Sequence, residues 1–148
     1  MTERKSRDTQ EDYLFFHEIE TRWMDNDIYG HVNNVVYYSY FDTAVAAFLV
    51  SKVGLYFQKE NSAIGLVIET GCTYFESIAF PDRVKVGLRI SKLGNSSVRY
   101  EIGIFKNDGE HVCASGHFVH VYVDRATNKP ISIPEDVRAA MQTIVKQS

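Results

Sequence analysis

The densest group of chemistry-bearing side chains is Asp25-Asn26-Asp27-Ile28-Tyr29-Gly30-His31-Val32-Asn33-Asn34. A run so rich in Asp, Asn and Gly reads as a loop, and it feeds straight into a long apolar stretch that reads as a helix. The free backbone N–H groups at a helix start favour developing negative charge. Asp27 precedes that start by one short loop, so its carboxylate can face a carbonyl held by those N–H groups. A carboxylate base opposite oriented amide donors is the arrangement that acyl transfer requires. Gly30 permits a positive φ or a close backbone approach. The same residues also describe a polar loop whose Asp and Asn side chains cap the helix and satisfy turns. Spacing alone leaves both readings open.

The elements that must position this loop follow from the pattern on either side of it. Tyr13 to Trp23 alternates as a strand with one wet face. VVYYSYFDTAVAAFLVSKVG, after the loop, holds no proline and has its only glycine at the end. Asn33 or Asn34 can cap its start, Lys52 suits its last turn and Gly54 the position just past it. About 18 helical residues at 1.5 Å each would run roughly 27 Å. Tyr37, Phe41, Ala44 and Phe48 form one apolar stripe and Tyr38, Val45 and Leu49 another, so the helix should be buried on most faces. Strand-like stretches follow: Ile64 to Ile78, broken by Pro81-Asp82; then Val84, Val86, Leu88 and Ile90 with period two; then Val98, Tyr100, Ile102 and Ile104 likewise. Leu93-Gly94-Asn95-Ser96 reads as a turn and Asn107-Asp108-Gly109 as a hairpin. A strand from His111 to Val123 comes next. Pro134, Glu135 and Asp136 open a last helix, with Val137, Met141 and Ile144 at helical spacing. The predicted class is α+β: an antiparallel sheet curled around one long buried helix.

Composition narrows the function classes. The chain has 148 residues, enough for one domain, which the pattern places over residues 13–148 behind a flexible polar tail of residues 1–12. Sixteen Lys and Arg against 19 Asp and Glu give a charge of −3, which supplies no electrostatic reason to expect nucleic acid. Nine Phe, nine Tyr and one Trp point to a large aromatic core or an apolar slot. No run approaches the roughly 20 apolar residues of a membrane span, and MTERKSRDTQEDY has no apolar signal core. Cys72 and Cys113 are too few for a disulfide framework. Two reduced thiols in an unexported chain make a cytoplasmic location the expectation. Both cysteines lie in strand-like stretches, where a small buried Cys is common.

D-x-D-x-x-G-H-V-N-N-x-x-Y, unbroken from Asp25 to Tyr37, resembles the signature of hotdog-fold acyl-CoA thioesterases. The branch is the one that includes 4-hydroxybenzoyl-CoA thioesterase and the bacterial Tol-Pal-linked acyl-CoA thioesterases. Lys92-Leu93-Gly94-Asn95-Ser96-Ser97 with Val98 and Tyr100, and Val123-Asp124-Arg125 running to Pro130 and Pro134, agree with it, over about residues 13–140. The resemblance implies that Asp27 is the catalytic carboxylate and that the backbone N–H of Asn34, seven residues on, polarises the thioester carbonyl. It implies a coenzyme A contact at the Gly94–Ser97 turn, drawing on Lys92, Asn95, Ser96, Ser97 and Arg99. It also implies paired edge strands, hence a homodimer or homotetramer with active sites at the interface, which suits a sheet whose edges need covering. In one respect the chain departs from its relatives, which often carry an acid and then an Arg three residues later in the helix. Here Asp42 is followed by Val45.

The chemistry needs no metal and no redox cofactor. A thiolate leaving group, with a conjugate acid near pKa 8.5, requires little protonation, so one carboxylate acting as base or nucleophile suffices. His31 either orients Asp27, touches substrate or satisfies backbone groups. Asn33 caps or braces the loop, and Tyr37 with Tyr38, Tyr40, Phe41 and Phe48 forms core or lines an acyl slot. Asp42 is the alternative carboxylate. His111, Cys113, His117 and His120 invite a metal reading, but strand parity sets the first three on one face and His120 on the other. Three other functions compete. An enoyl-thioester hydratase would need an Asp and His in a Gly-Asp-x-Asn-Pro setting, which is absent. A carrier-protein thioesterase would want a basic docking patch. A non-catalytic acyl-CoA-binding protein would have no use for Asp27.

Overall fold

The computed structural model describes residues 7–54 and 63–146. Its elements in chain order are β1 (Phe15–Glu20), α1 (Asn34–Val53), β2 (Ile64–Tyr74), β3 (Arg83–Leu93), β4 (Ser97–Lys106), β5 (Ala114–Val123) and α2 (Glu135–Gln142), with short 3-10 turns at Gln10–Asp12 and Trp23–Asp25. The strands form one antiparallel sheet in the order β1-β3-β4-β5-β2. The predicted α+β arrangement is therefore the observed one, with α1 against one face of the sheet, here called the inner face, and α2 packed on α1.

The period-two pattern places Val84, Val86, Leu88 and Ile90 on the inner face, and Val98, Tyr100, Ile102 and Ile104 beside them, all buried. They meet Tyr37, Tyr40, Phe41, Ala44, Val45, Phe48 and Leu49 of α1 in one apolar core. Gly116 on β5 seats the helix: a Cβ there would lie 2.6 Å from the Phe41 ring and 2.3 Å from the Gly71 carbonyl. The Asn107-Asp108 turn takes φ of 50° and 63°, left-handed backbone that Asn and Asp tolerate, and it opens the connection 107–113 between β4 and β5, longer than the two-residue hairpin the motif suggests.

Four expectations need correction. The helix is not buried on most faces: Val35, Ser39, Asp42, Ala46 and Val50 form an exposed flank at helical spacing, because α1 packs toward β1 and β3 and meets the edge strand β2 near its Tyr74 end. The strand from Ile64 ends at Tyr74, and Phe75 and Glu76 turn to donate to the Cys113 carbonyl. The last strand begins at Ala114, while His111 pairs instead with Thr9. That pairing anchors the predicted tail from Arg7 onward. Val112 N–H donates to Asp8 O at 3.0 Å, and the Asp8 carboxylate accepts from Tyr13 Oη at 2.9 Å and Arg89 Nη2 at 3.1 Å. Residues 1–6 lie outside the described residues.

Candidate active site

The loop from Asp25 to Asn33 is a small closed ring of backbone contacts. Asn26 and Val32 pair as an antiparallel bridge. Asp27 N–H donates to His31 O at 2.8 Å and Gly30 N–H to Asp27 O at 3.1 Å. Gly30 sits at φ 81° with open space where a Cβ would be, so the turn's left-handed backbone and not crowding calls for glycine there. Asn33 caps α1, its Oδ1 accepting from Val35 N–H at 3.1 Å. Of the two proposed caps, it is Asn33 that serves, and Asn34 becomes the first helical residue. Among the described residues the Asn34 N–H has no acceptor.

Asp27 places Oδ1 2.8 Å from Tyr29 N–H and 3.4 Å from His31 N–H. This Asx turn fixes the side chain and leaves Oδ2 without a donor among the described residues. Asp27 lines a hollow of about 640 Å³ with Trp23, Met24, Ile28 and Phe80, while Asn34 lines one of about 250 Å³ with Val32, Tyr37 and Tyr74. The bridging pair Asn26 and Val32 separates them, one residue lining each hollow. Tyr37 is buried and packs edge-on against Tyr74 at 4.9 Å, and Tyr74 Oη donates to Asn34 O at 3.2 Å. His31 is exposed and acts on Asp27 through its backbone.

Sequence reasoning weighed the second aspartate of the D-x-D pair and passed over the first. Asp25 is 2% exposed. Its Oδ2 accepts from Tyr40 Oη and from Arg22 N–H, both at 2.9 Å, and Oδ1 from the Arg22 guanidinium at 3.0 Å. Its carbonyl accepts from Asn33 N–H at 2.9 Å. Burial opposes the charge most strongly, but the Arg22 N–H, the Tyr40 hydroxyl and the Arg22 side chain together hold the carboxyl below the usual carboxylate range. Asp25 thus bolts the loop to α1. No local signal names Tyr40 as its partner, since a Tyr in an apolar helix reads as core. Asp25→Ala leaves the buried Tyr40 hydroxyl unpaired and should cost about 3 kcal/mol in urea denaturation at neutral pH. A folded pKa below the unfolded one gives stability that is present above the unfolded value and lost as pH falls through the folded value. The wild type and the variant should therefore converge in acid.

The remaining residues fall elsewhere. The Gly94–Ser97 turn lies at the sheet end where Ser97 pairs with Val121, whereas Asn34 sits at the opposite end, where Tyr74 pairs with Ala114. Asn95 is engaged with the segment before α2 and with α2 itself, its carbonyl accepting from Ile133 N–H and Arg138 Nη2. Ser96 O accepts from Tyr122 N–H, Ser97 O from Gly94 N–H, and Lys92 is exposed. Arg99 is on the outer face, 3.6 Å from Glu69. Within one chain the structure does not bring these residues to the helix start. His117 is also on the outer face, 2.9 Å from Glu69, and His120 is buried on the inner face. His111 lies before the strand, so it is not part of the face on which the sequence reading set it. Among the described residues no three His, Cys, Asp or Glu are grouped to hold a metal. Burial pushes the Cys72 thiol up to about 11 and raises that of Cys113, so neither is a thiolate at neutral pH. Among the described residues no helix is long and apolar enough to cross a membrane.

The arrangement, a fixed carboxylate one turn of chain away from an unengaged helix-start N–H, suits attack on a carbonyl. The chain as a whole is similar to several known proteins. The PA5185 protein of Pseudomonas aeruginosa is 48% identical, with 97% of this chain and 99% of that one covered and a TM-score of 0.92. The PA2801 protein of the same organism is 30% identical over 87% of this chain and 98% of its own, at 0.77. A thioesterase from Thermus thermophilus, solved in complex with coenzyme A and zinc, is 29% identical over 90% and 96%, at 0.74. Residues 21–141, which span the loop, the helix and the whole sheet from β2 onward, match the thioesterase-like superfamily. The chain therefore belongs to that superfamily, and the sheet-and-helix architecture is its hotdog fold.

Proposed function

We propose that this thioester hydrolase acts on acyl-CoA, adding water across the C–S bond to release the free acid and the CoA thiol. Asp27 either removes a proton from the attacking water or attacks the carbonyl itself, and the Asn34 N–H holds the oxyanion. The observation that carries this reading is the Asn34 N–H: it is a helix-start donor with no acceptor among the described residues, seven residues after a carboxylate fixed through one oxygen only.

The working form is a dimer. Trp23 is 75% exposed and Ile28 92%, and Met24, Tyr29 and Val35 around them are open as well. An apolar rim of this kind around a reactive loop asks for cover. β2 is an edge strand that exposes Leu66, Val67 and Ile68, a template for pairing with another chain. Antiparallel pairing of two β2 edges about a two-fold axis sets the Tyr74 end of one beside the Ile64 end of the other. The partner's Gly94–Ser97 turn then stands at the same sheet end as this chain's Asn34, which is where a CoA held at Lys92, Asn95, Ser96, Ser97 and Arg99 would need it.

Hydrolysis rates on matched CoA and carrier-protein thioesters, together with light scattering, test this reading. A dimer or a dimer of dimers with faster turnover on CoA thioesters is expected. A monomer at micromolar concentration removes the interface site, and turnover confined to carrier-protein thioesters replaces CoA as the substrate.

A further inference from the structure

The hollow at the Asn34 N–H, of about 250 Å³, ends at two aromatic rings. Along α1 its lining runs from Asn34 to Tyr37, one turn on, and goes no further. Along the chain that leaves β2 it runs from Ser77 back to Tyr74 and stops there too. The next residues on the same faces, Phe41 of α1 and Cys72 of β2, take no part in it. Glu76 and Ser77, at the other end, are exposed to solvent.

Tyr74 is the strut across the closed end, at the point where α1 meets the edge strand. Its ring stands edge-on to the buried Tyr37 at 4.9 Å, and its hydroxyl donates to Asn34 O at 3.2 Å. The residue is itself 42% exposed, so these two contacts hold the ring in place, and the core does not. Beyond it along β2 and α1 stand the side chains of Cys72 and Tyr38, within reach of its hydroxyl. A small side chain at position 74 would join the hollow to the space in front of them.

We infer that Tyr74 sets the acyl length: its ring ends the acyl slot, so the protein takes short acyl thioesters and rejects long ones. The inference rests on the helix start being the thioester site. A carbonyl held by the Asn34 N–H has Asp27 on one side, and the other side is the hollow with Val32, Tyr37 and Tyr74. That apolar, aromatic side is where a hydrocarbon tail gains most by leaving water. The hollow is smaller than the roughly 300–1,000 Å³ of sites that enclose a drug-sized ligand. At roughly 30 Å³ for each water-sized group, it holds about eight of them. Up to that length each added methylene should raise kcat/KM about fourfold. Past it, the chain meets the two rings and the gain stops.

The test measures kcat/KM on acetyl-, butyryl-, hexanoyl-, decanoyl- and myristoyl-CoA for wild type, Tyr74→Ala and Tyr74→Phe, with each fold checked by thermal melting. The wild-type maximum should fall at about eight carbons or fewer, with myristoyl-CoA at least about tenfold poorer. Tyr74→Ala should move the maximum to a longer chain and raise the myristoyl-to-hexanoyl ratio about tenfold or more. Tyr74→Phe keeps the ring and should keep the wild-type maximum, which separates the plug from the hydroxyl bond. A wild type that turns over myristoyl-CoA as well as hexanoyl-CoA overturns the inference whether or not the Ala variant folds. An unmoved maximum in a folded Ala variant overturns it as well, and so does an equal loss at every chain length, the mark of a purely structural role. Turnover with no length preference sinks only the Tyr74 assignment, whereas no turnover of any thioester sinks the acyl-CoA reading and this inference with it.

Discussion

Asp27→Asn should lower kcat on acyl-CoA thioesters by about a hundredfold or more, with the fold intact. The substitution is chosen for what it keeps. An asparagine Oδ1 still accepts from the Tyr29 and His31 N–H groups, at 2.8 and 3.4 Å in the wild type, so the loop retains its Asx turn and its shape. What disappears is the charge on the second oxygen, which neither an attacking water nor the thioester carbon can then use. A loss expressed in kcat and kcat/KM alike, with an unaltered melting temperature, marks an interaction made only in the transition state. Unchanged turnover in a folded variant would move the chemistry to Asp42, the other carboxylate beside the inner face.

Asn34→Pro should cost about two to three orders of magnitude in kcat. It removes one N–H and little else. Asn34 is the first residue of α1, the position where proline is best tolerated because its missing N–H bonds to nothing in the helix. Asn33, just before it, has φ −59° and ψ 136°, the extended geometry that a following proline demands. The Asn34 carbonyl stays in place for the Tyr74 hydroxyl. Asn34→Ala is the control: it keeps the N–H and discards the side chain, so most of the activity should survive. Equal losses in both variants would assign the role to the Asn34 side chain and not to its backbone.

The parts of this molecule set by local physics were legible in the sequence. Alternation along Val84–Ile90 and Val98–Ile104 gave two central strands. The Asn33-Asn34 pair and Gly54 bracketed the helix as cap and positive-φ stop, and Asn107-Asp108-Gly109 marked the turn that opens the β4–β5 connection. The loop with Asp27, Gly30 and Asn33 is also local, which is why its turn and cap could be read. Relations between distant segments were not legible. Asp25 and Tyr40 meet across the loop-to-helix junction, and neither carries a mark of the other. The register shift between Val67 and Glu69 alters which β2 side chains face inward, something no alternation count reveals. The exposed flank of α1 follows from β2 joining the sheet beyond β5, a matter of strand order. Strand pairing also carries the Gly94–Ser97 turn to the far end of the sheet from Asn34, a separation that follows from strand order and not from either motif. Strand parity set His120 on the face opposite His117, and the two do lie on opposite faces of β5, whereas the displacement of His111 from that strand was not legible.

The most direct measurement is thiol release by the purified wild-type protein from a panel of short, medium, long-chain and aromatic CoA thioesters, with the free acid product quantified alongside. Steady multiple-turnover release of thiol and acid in equal amounts from at least one member is the predicted result. Tight binding of acyl-CoA with no release from any member would contradict hydrolysis and leave a protein that holds acyl-CoA without cleaving it.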